Sequence, residues 1–291
     1  MQILAATDFS TRSQRALRRA GQLAQATAAE LAIVHVVDDD QPQRLVEMEA
    51  RESERMLTEL IGAVSELRDV RCHPRVVIGD PFDAIVRTAV AQTADLIVMG
   101  AHRKQLLRDI FVGTTVERVI RTGHHPVLMV NNEVNLPYEV VLSPVDLSDA
   151  SANAIRAART VGVIDGARLE ILHAFLPVGK GKMSMAGLDQ ADIDEYVSSE
   201  RQEVTEDLTA FLLESDLGGL GASLRVEEGG AFEVISAGVD RMRPDLLVIG
   251  THGRSGLLKV LLGSVTEEVL RSLNVDILAV PPNKREDITG P

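Results

Sequence analysis

Apolar and polar positions along the chain follow two alternating rhythms. Short unbroken apolar runs, "ILAAT" (3–7), "LAIVHVV" (31–37), "PRVVIG" (74–79), "DLIVMG" (95–100) and "PVLMV" (126–130), are bounded by turn residues and have the length of strands buried on both faces. Between them lie stretches of helical spacing. From Thr11 to Thr27, Ala16, Leu17, Ala20, Leu23 and Ala24 fall on one face. Arg44–Leu67, Phe82–Thr93 and Thr114–Thr122 read as further helices. The same succession then starts again. The runs "VVLSP", "LEILHAF", "LRVEEG", "DLLVIG" and "DILAV" alternate with helical patterns at Ala150–Val161, Ala191–Glu214, Phe232–Met242 and Ser264–Leu273. Five strands alternating with four helices in each half predict an α/β fold: two tandem Rossmann-like, open, five-stranded, mostly parallel sheets. Helices cover both faces and the crossovers are right-handed.

The two halves are copies. Asp8 pairs with Asp146 and His35 with His173, both 138 residues apart. Asp95 pairs with Asp245, Gly100 with Gly250, His102 with His252 and Gly113 with Gly263, all 150 apart. Ungapped alignment of 95–130 with 245–280 gives 12 identities in 36 positions. The offset grows within the second copy, and "LPVGKGKMSMAGLDQ" (Leu176–Gln190) reads as a flexible insertion. The period is far too long for a solenoid, so each copy is domain-sized. Expected domains are 1–132 and 137–283, with 284–291 as a tail. They join near Asn131–Pro137 and are expected to pack as a pseudo-twofold pair.

Composition narrows the picture. Trp is absent and aromatics make up 3% of residues, so the core must be aliphatic. The net charge of −13 disfavours nucleic acid and anionic membrane as partners, so an anionic ligand must be held by local geometry. The single cysteine, Cys72, excludes an intramolecular disulfide and any CxxC metal knuckle. With no leader-like or membrane-length apolar run, the expectation is a cytoplasmic chain.

Candidate chemistry concentrates at "GTHGRSGLLKVLLGSVTEEVL" (Gly250–Leu270) and its worn copy "GAHRKQLLRDIFVGTTVERVI" (Gly100–Ile120). In open α/β sheets, ligands sit beyond the carboxyl ends of strands where the strand order reverses. If the first and fourth strands are neighbours, Asp8 meets Gly100 and Asp146 meets Gly250. A glycine after a strand admits close backbone approach. A helix starting at Gly263–Ser264 offers free N–H groups and its dipole to a phosphate.

The spacing Gly250-x2-Gly253-x9-Gly263-Ser264 after "DLLVIG", joined to "PVDLSDAS" (Pro144–Ser151), resembles the ATP-binding universal stress proteins, in their tandem class. That resemblance covers nearly the whole chain and implies ATP or another adenine nucleotide, with or without Mg²⁺. In the second half it implies Pro144, Val145, Asp146 and Ala174 at the adenosine end. Gly250, His252, Gly253, Arg254, Gly263, Ser264, Val265 and Thr266 would lie at the phosphates. In the first half it implies Thr7, Asp8, Val36, Gly100, Arg103, Gly113, Thr114 and Thr115. There Arg103 replaces the middle glycine and either binds phosphate or fills the cleft. The family also implies pairing through fifth-strand edges, within the chain or in a homo-oligomer.

Plainer roles compete. Ser10 and Ser148 read as helix caps, and His35 and His173 as hydrogen-bonded structural imidazoles. His124 and His125 lack a third ligand of convincing spacing. No GxxxxGK[ST] loop is present and no carboxylate pair adjoins the glycines. The expected function is therefore a nucleotide-binding stress-response sensor or scaffold with at most slow ATP hydrolysis. The alternatives are an adenine-nucleotide α/β hydrolase or transferase, and a partner- or lipid-binding scaffold whose first domain is nucleotide-free.

Overall fold

A computed structural model describes residues 1–101, 114–134, 136–252 and 262–282. The first half runs β1 (Gln2–Ala6), α1 (Thr11–Thr27), β2 (Glu30–Val37), α2 (Gln43–Ala63), β3 (Cys72–Ile78), α3 (Pro81–Ala91), β4 (Leu96–Gly100), α4 (Thr115–Thr122) and β5 (Val127–Val130). The second runs β6 (Val140–Pro144), α5 (Asp149–Thr160), β7 (Arg168–Phe175), α6 (Val178–Met185), α7 (Gln190–Glu214), β8 (Ser223–Glu228), α8 (Ala231–Met242), β9 (Leu246–Gly250), α9 (Ser264–Ser272) and β10 (Asp276–Val280).

Strand composition dictates the layering. In β1, Ile3 and Ala5 belong to one buried cluster and Leu4 and Ala6 to the other, so both faces are covered. Helices α1, α2, α5 and α7 supply the first layer through Leu17, Leu57, Ile155 and Leu208. Helices α3, α4, α8 and α9 supply the second through Ile85, Val119, Val234 and Val269. Local signals fix the helix starts: the side chains of Ser10, Asp80, Ser148 and Asp189 accept from the backbone N–H three residues on.

The sheet is continuous, in the order β3-β2-β1-β4-β5-β10-β9-β6-β7-β8. Pairing is parallel within each half and antiparallel at the β5–β10 seam, where Leu128 faces Leu278 and Met129 faces Ile277. All four side chains are at most 1% exposed. The fifth strands thus cover each other's apolar edges, which would otherwise invite aggregation. The repeated Asp95 and Asp245 have a structural role. Asp95 accepts from Gln2 N at 2.8 Å, and Asp245 accepts from Glu139 N and Val140 N at 2.9 Å, registering the first strand of each half beside the fourth.

Two expectations are corrected. The long helix expected over Arg44–Leu67 stops at Ala63, and a single 3-10 turn (Ser65–Leu67) then buries Leu67. The expected flexible insertion, Leu176–Gln190, contains α6. Its Gly179 lies where a Cβ would stand 2.7 Å from the Tyr196 ring, and its N–H donates to the Tyr196 hydroxyl at 3.1 Å. A side-chain-free position read as looseness is a docking contact onto α7.

The seam carries a one-sided polar latch. Asp276 is fully buried and accepts from Asn131 N (2.8 Å), Asn132 N (2.9 Å) and the Tyr138 hydroxyl (2.8 Å). The Arg19 guanidinium stacks over Tyr138, 3.9 Å from the ring centre, and donates to Leu136 O. Burial pushes the Asp276 carboxyl above the usual carboxylate range, against the pull of these donors. The equivalent residue in the first half is Pro126, so only one copy of the latch exists.

Candidate functional site

The strand order reverses between β1 and β4 in one half and between β6 and β9 in the other. A cleft opens at each reversal, of about 330 Å³ in the second half and about 260 Å³ in the first.

Two distant segments build the second cleft. β6 ends at Pro144, and the chain turns through Val145, Asp146 and Leu147 into α5. Leu147 adopts a left-handed backbone (φ 61°), as does Phe9 (φ 61°) in the first half. A non-glycine residue there carries strain that the surroundings must hold in place. Hydrogen bonds and packing do so. Asp146 Oδ1 accepts from Ser148 N at 3.2 Å and from Ser148 Oγ at 2.5 Å, while Leu147 packs on the core. His173 Nδ1 meets Val145 O at 2.8 Å, and His35 Nδ1 meets Thr7 O at 2.9 Å. Both imidazoles brace the turn from below.

The opposite wall is the end of β9 and the start of α9. Thr266 Oγ1 donates to Gly250 O at 2.8 Å, and Gly263 N donates to Thr251 O at 2.9 Å, which pins the helix start above the strand end. Pro144, Val145, Asp146, Ala174, Gly250, His252, Gly263, Ser264, Val265 and Thr266 all line this one cleft. The buried Thr266 hydroxyl is spent on Gly250, so its contribution there is its backbone. Gly253 and Arg254 lie outside the described residues. The sequence reading missed the apolar floor, Leu172 and Ile249, and the α8 side, Ala231, Val234 and Ile235. The helical spacing of those three α8 positions was the available signal.

The glycines divide into two kinds. A Cβ on Gly100 would stand 2.6 Å from Arg12 O, and one on Gly250 3.0 Å from Ala150 O. The close approach these strand-end glycines permit is that of the first helix's backbone. Gly263 differs: its backbone (φ −62°) suits any residue, and a Cβ would meet nothing nearer than 3.5 Å. No contact within the described residues requires a glycine there. It is also the N-cap of α9, and no side chain among the described residues caps that helix. The residues of this helix start, Ser264, Val265 and Thr266, line the cleft.

His252 adds a second open donor or acceptor. Its Nδ1 lies 2.9 Å from Thr251 Oγ1, while Nε2 is buried and has no partner among the described residues. Burial lowers its pKa, so the ring is neutral at pH 7. Uncapped helix N–H groups, a glycine that keeps the mouth clear and an unsatisfied imidazole nitrogen suit an anionic group such as a phosphate. No group of three His, Cys, Asp or Glu that could hold a metal occurs among the described residues.

The first cleft is lined by Thr7, Asp8, Val36, Gly100, Thr114 and Thr115, together with Arg12 and Ser13, which the sequence reading did not include. Arg103 and Gly113 lie outside the described residues. Burial pushes the Asp8 carboxyl upward, but hydrogen bonds from Ser10 and Ser13 outweigh it and hold the pKa below the usual value. Here α4 is capped: Thr114 Oγ1 accepts from Glu117 N at 3.2 Å. Thr114 therefore caps the helix as well as lining the cleft.

A twice-repeated α/β domain with a cleft at each strand-order reversal defines a tandem Rossmann-like protein. Comparison with known proteins makes the class specific. The Universal stress protein family profile matches residues 1–131 and again 137–281, and the chain belongs to that family. It is 29% identical over 153 residues to Universal stress protein MJ0577 of Methanocaldococcus jannaschii, covering 45% of this chain and 94% of the relative. It is 23% identical over 209 residues to Universal stress protein E of Escherichia coli, covering 70% of this chain and 66% of the relative. A universal stress protein structure from Archaeoglobus fulgidus superposes with a TM-score of 0.68 at 18% identity, covering 97% of this chain and 98% of the other. Among the described residues, no helix is long and apolar enough to cross a membrane.

Proposed function

We propose that the second cleft binds an adenine nucleotide, and that the chain serves as a nucleotide-dependent stress-response sensor or scaffold with at most slow hydrolysis. The adenosine end lies against Val145, Ala174 and the apolar floor, with Asp146 accepting from a ribose hydroxyl or the adenine amino group. The phosphates lie at the N-terminus of α9, over Gly263 and against the backbone of Ser264 and Val265. His252 Nε2 contributes at the phosphate end, where the family resemblance also puts Gly253 and Arg254. Any Mg²⁺ arrives with the phosphates.

One observation carries this reading. Gly263 is a glycine that neither its backbone conformation nor its neighbours among the described residues demand, placed at the start of a helix that no described side chain caps and that borders a cleft. A ligand approaching the N-terminus of that helix gives a physical reason for it. Nucleotide binding without fast turnover also suits a site whose phosphate end offers backbone donors and no carboxylate cluster.

The test is an ATP titration of the wild type against Gly263→Asp. Aspartate is a favourable N-cap and its charge complements the helix dipole, so the melting temperature should hold or rise slightly. The same carboxylate occupies the phosphate position, so affinity should fall by roughly 100-fold or more, the equivalent of about 3 kcal/mol. A variant that folds and still binds ATP as the wild type does would overturn the assignment.

A further inference from the structure

The seam joins two related but unlike strand edges. Leu128 of β5 faces Leu278 of β10, and the 150-residue repeat offset makes these positions equivalent. In the same register, two first halves from two chains would set Leu128 against Leu128, and two second halves would set Leu278 against Leu278. The flanking positions, Val127 and Met129 or Ile277 and Ala279, are aliphatic in every combination. Apolar packing therefore does not distinguish the three pairings, and a bare fifth-strand edge could take its own kind as a partner.

The polar groups do distinguish them. Asp276 Oδ1 accepts from Asn131 N and Asn132 N, which follow β5 and come from across the seam. Arg19 Nε, also in the first half, lies 3.8 Å from Asp276 Oδ2. Asn131 Nδ2 donates to Val275 O at 2.7 Å. The repeat offsets show what a second half would bring in their place. The counterparts of Asn131 and Asn132 are Pro281 and Pro282, which have no N–H, and the counterpart of Arg19 is Ala157. This equivalence holds in space as well as in sequence. Arg15 Nη1 donates to Asn131 O, and its counterpart Asn153 donates through Nδ2 to Pro281 O. Two paired second halves would thus bury each Asp276 without its backbone donors and its guanidinium, a heavily disfavoured state for a carboxylate. In two paired first halves Pro126 stands where Asp276 should, so the same N–H groups and the buried Arg19 lose their acceptor.

We infer that the Asp276 cluster is the recognition element of the seam, admitting a first half against a second half and refusing either half paired with its own kind. The partner that the β10 edge fits is a fifth strand followed by two residues with free N–H groups and backed by an arginine. Pro281 and Pro282 supply the repulsive part of the code, since specificity needs a penalty on the wrong partner as well as contacts to the right one. A single buried polar group sets partner choice in coiled coils by the same means. The inference does not depend on what either cleft binds.

The test uses the whole chain, cut at a protease site inserted at Asn135. Halves are exchanged in moderate urea and counted by native mass spectrometry, which separates the pairings because the two halves differ in mass. The wild type should return unlike pairs, with second-half pairs disfavoured roughly a hundredfold by the two charge-assisted bonds that each carboxylate loses. Pro281→Asn combined with Pro282→Asn restores the donors to second halves and should raise their self-pairing roughly tenfold or more. Like pairs at the random share in the wild type, or no rise in the variant, overturn the inference. If the cut chain comes apart or does not exchange, the intact chain decides. Asn131→Pro with Asn132→Pro copies the second half at both places. It should lower the melting midpoint by roughly 5 °C or more in the wild type, and by no more than about half of that in an Asp276→Leu background. Equal shifts in the two backgrounds overturn the inference.

Discussion

Replacing Gly100, Gly250 and Gly263 singly by alanine separates packing glycines from a ligand-facing one. At Gly100 the new Cβ would lie 2.6 Å from Arg12 O, a backbone atom that cannot swing away. Either α1 or the end of β4 must move, and overpacking of this kind costs about 1–3 kcal/mol. At Gly250 the contact is 3.0 Å to Ala150 O, so a smaller displacement suffices and the cost should be about 1 kcal/mol. At Gly263 the nearest atom is Thr251 O at 3.5 Å, an ordinary contact, and the backbone angles already suit alanine. Its effect should stay within about 0.5 kcal/mol. With ~2–4 °C of melting temperature per kcal/mol for a chain of this size, Gly100→Ala should lower the midpoint by roughly 2–12 °C and Gly263→Ala by less than about 2 °C. Differential scanning calorimetry in nucleotide-free buffer reads this order directly. If Gly263→Ala melts as early as Gly100→Ala, the glycine serves the fold, and the argument for a ligand at α9 loses its footing.

The seam offers further checks. Tyr138→Phe removes one hydrogen bond to a buried carboxylate and should cost about 1–3 kcal/mol in urea unfolding, whereas Asp276→Ala leaves two backbone donors and a phenol without their acceptor, removes the carboxylate 3.8 Å from Arg19 Nε, and should cost about 3–5 kcal/mol. The pKa of Asp276 is raised in the fold, so the folded chain binds its proton more tightly than the unfolded chain does. Stability should therefore decline as pH rises from its unfolded value of about 3.8 through the higher folded one, and Asp276→Asn should flatten that slope in a pH series of melts. Asp8 is lowered and acts in the opposite sense: its contribution is present above about 3.8 and is lost as pH falls through its folded value, a loss that Asp8→Asn should abolish.

Much of the fold was legible because the strands are buried on both faces and therefore read as continuous apolar runs. The repeat offsets then placed equivalent aspartates and glycines at equivalent strand ends. The meeting of Asp146 with Gly250 followed from strand order alone, which the β6–β9 pairing supplies. What the sequence concealed was the reason for each glycine. Gly250 and Gly263 look alike in one motif, yet the first yields space to a helix backbone and the second leaves space open. Steric neighbours distant in sequence decide that difference. Arg12 was hidden for a similar reason. It sits in an apolar-patterned helix among other arginines, and only its place opposite α4 distinguishes it from Arg15, which bonds to Asn131 O at 3.2 Å, and from Arg19 in the seam. Helix α6 was misread because glycine and lysine in "VGKGKMSM" suggest a loop, whereas Tyr196 provides the surface on which it docks.

The most direct measurement is a crystal structure of the chain grown with ATP. Phosphate oxygens should lie about 2.7–3.2 Å from the backbone nitrogens of Ser264 and Val265, with the purine between Val145 and Ala174. A nucleotide found elsewhere on the chain, or an empty α9 terminus at saturating ATP, would contradict the proposal that these two segments form a phosphate-binding cleft.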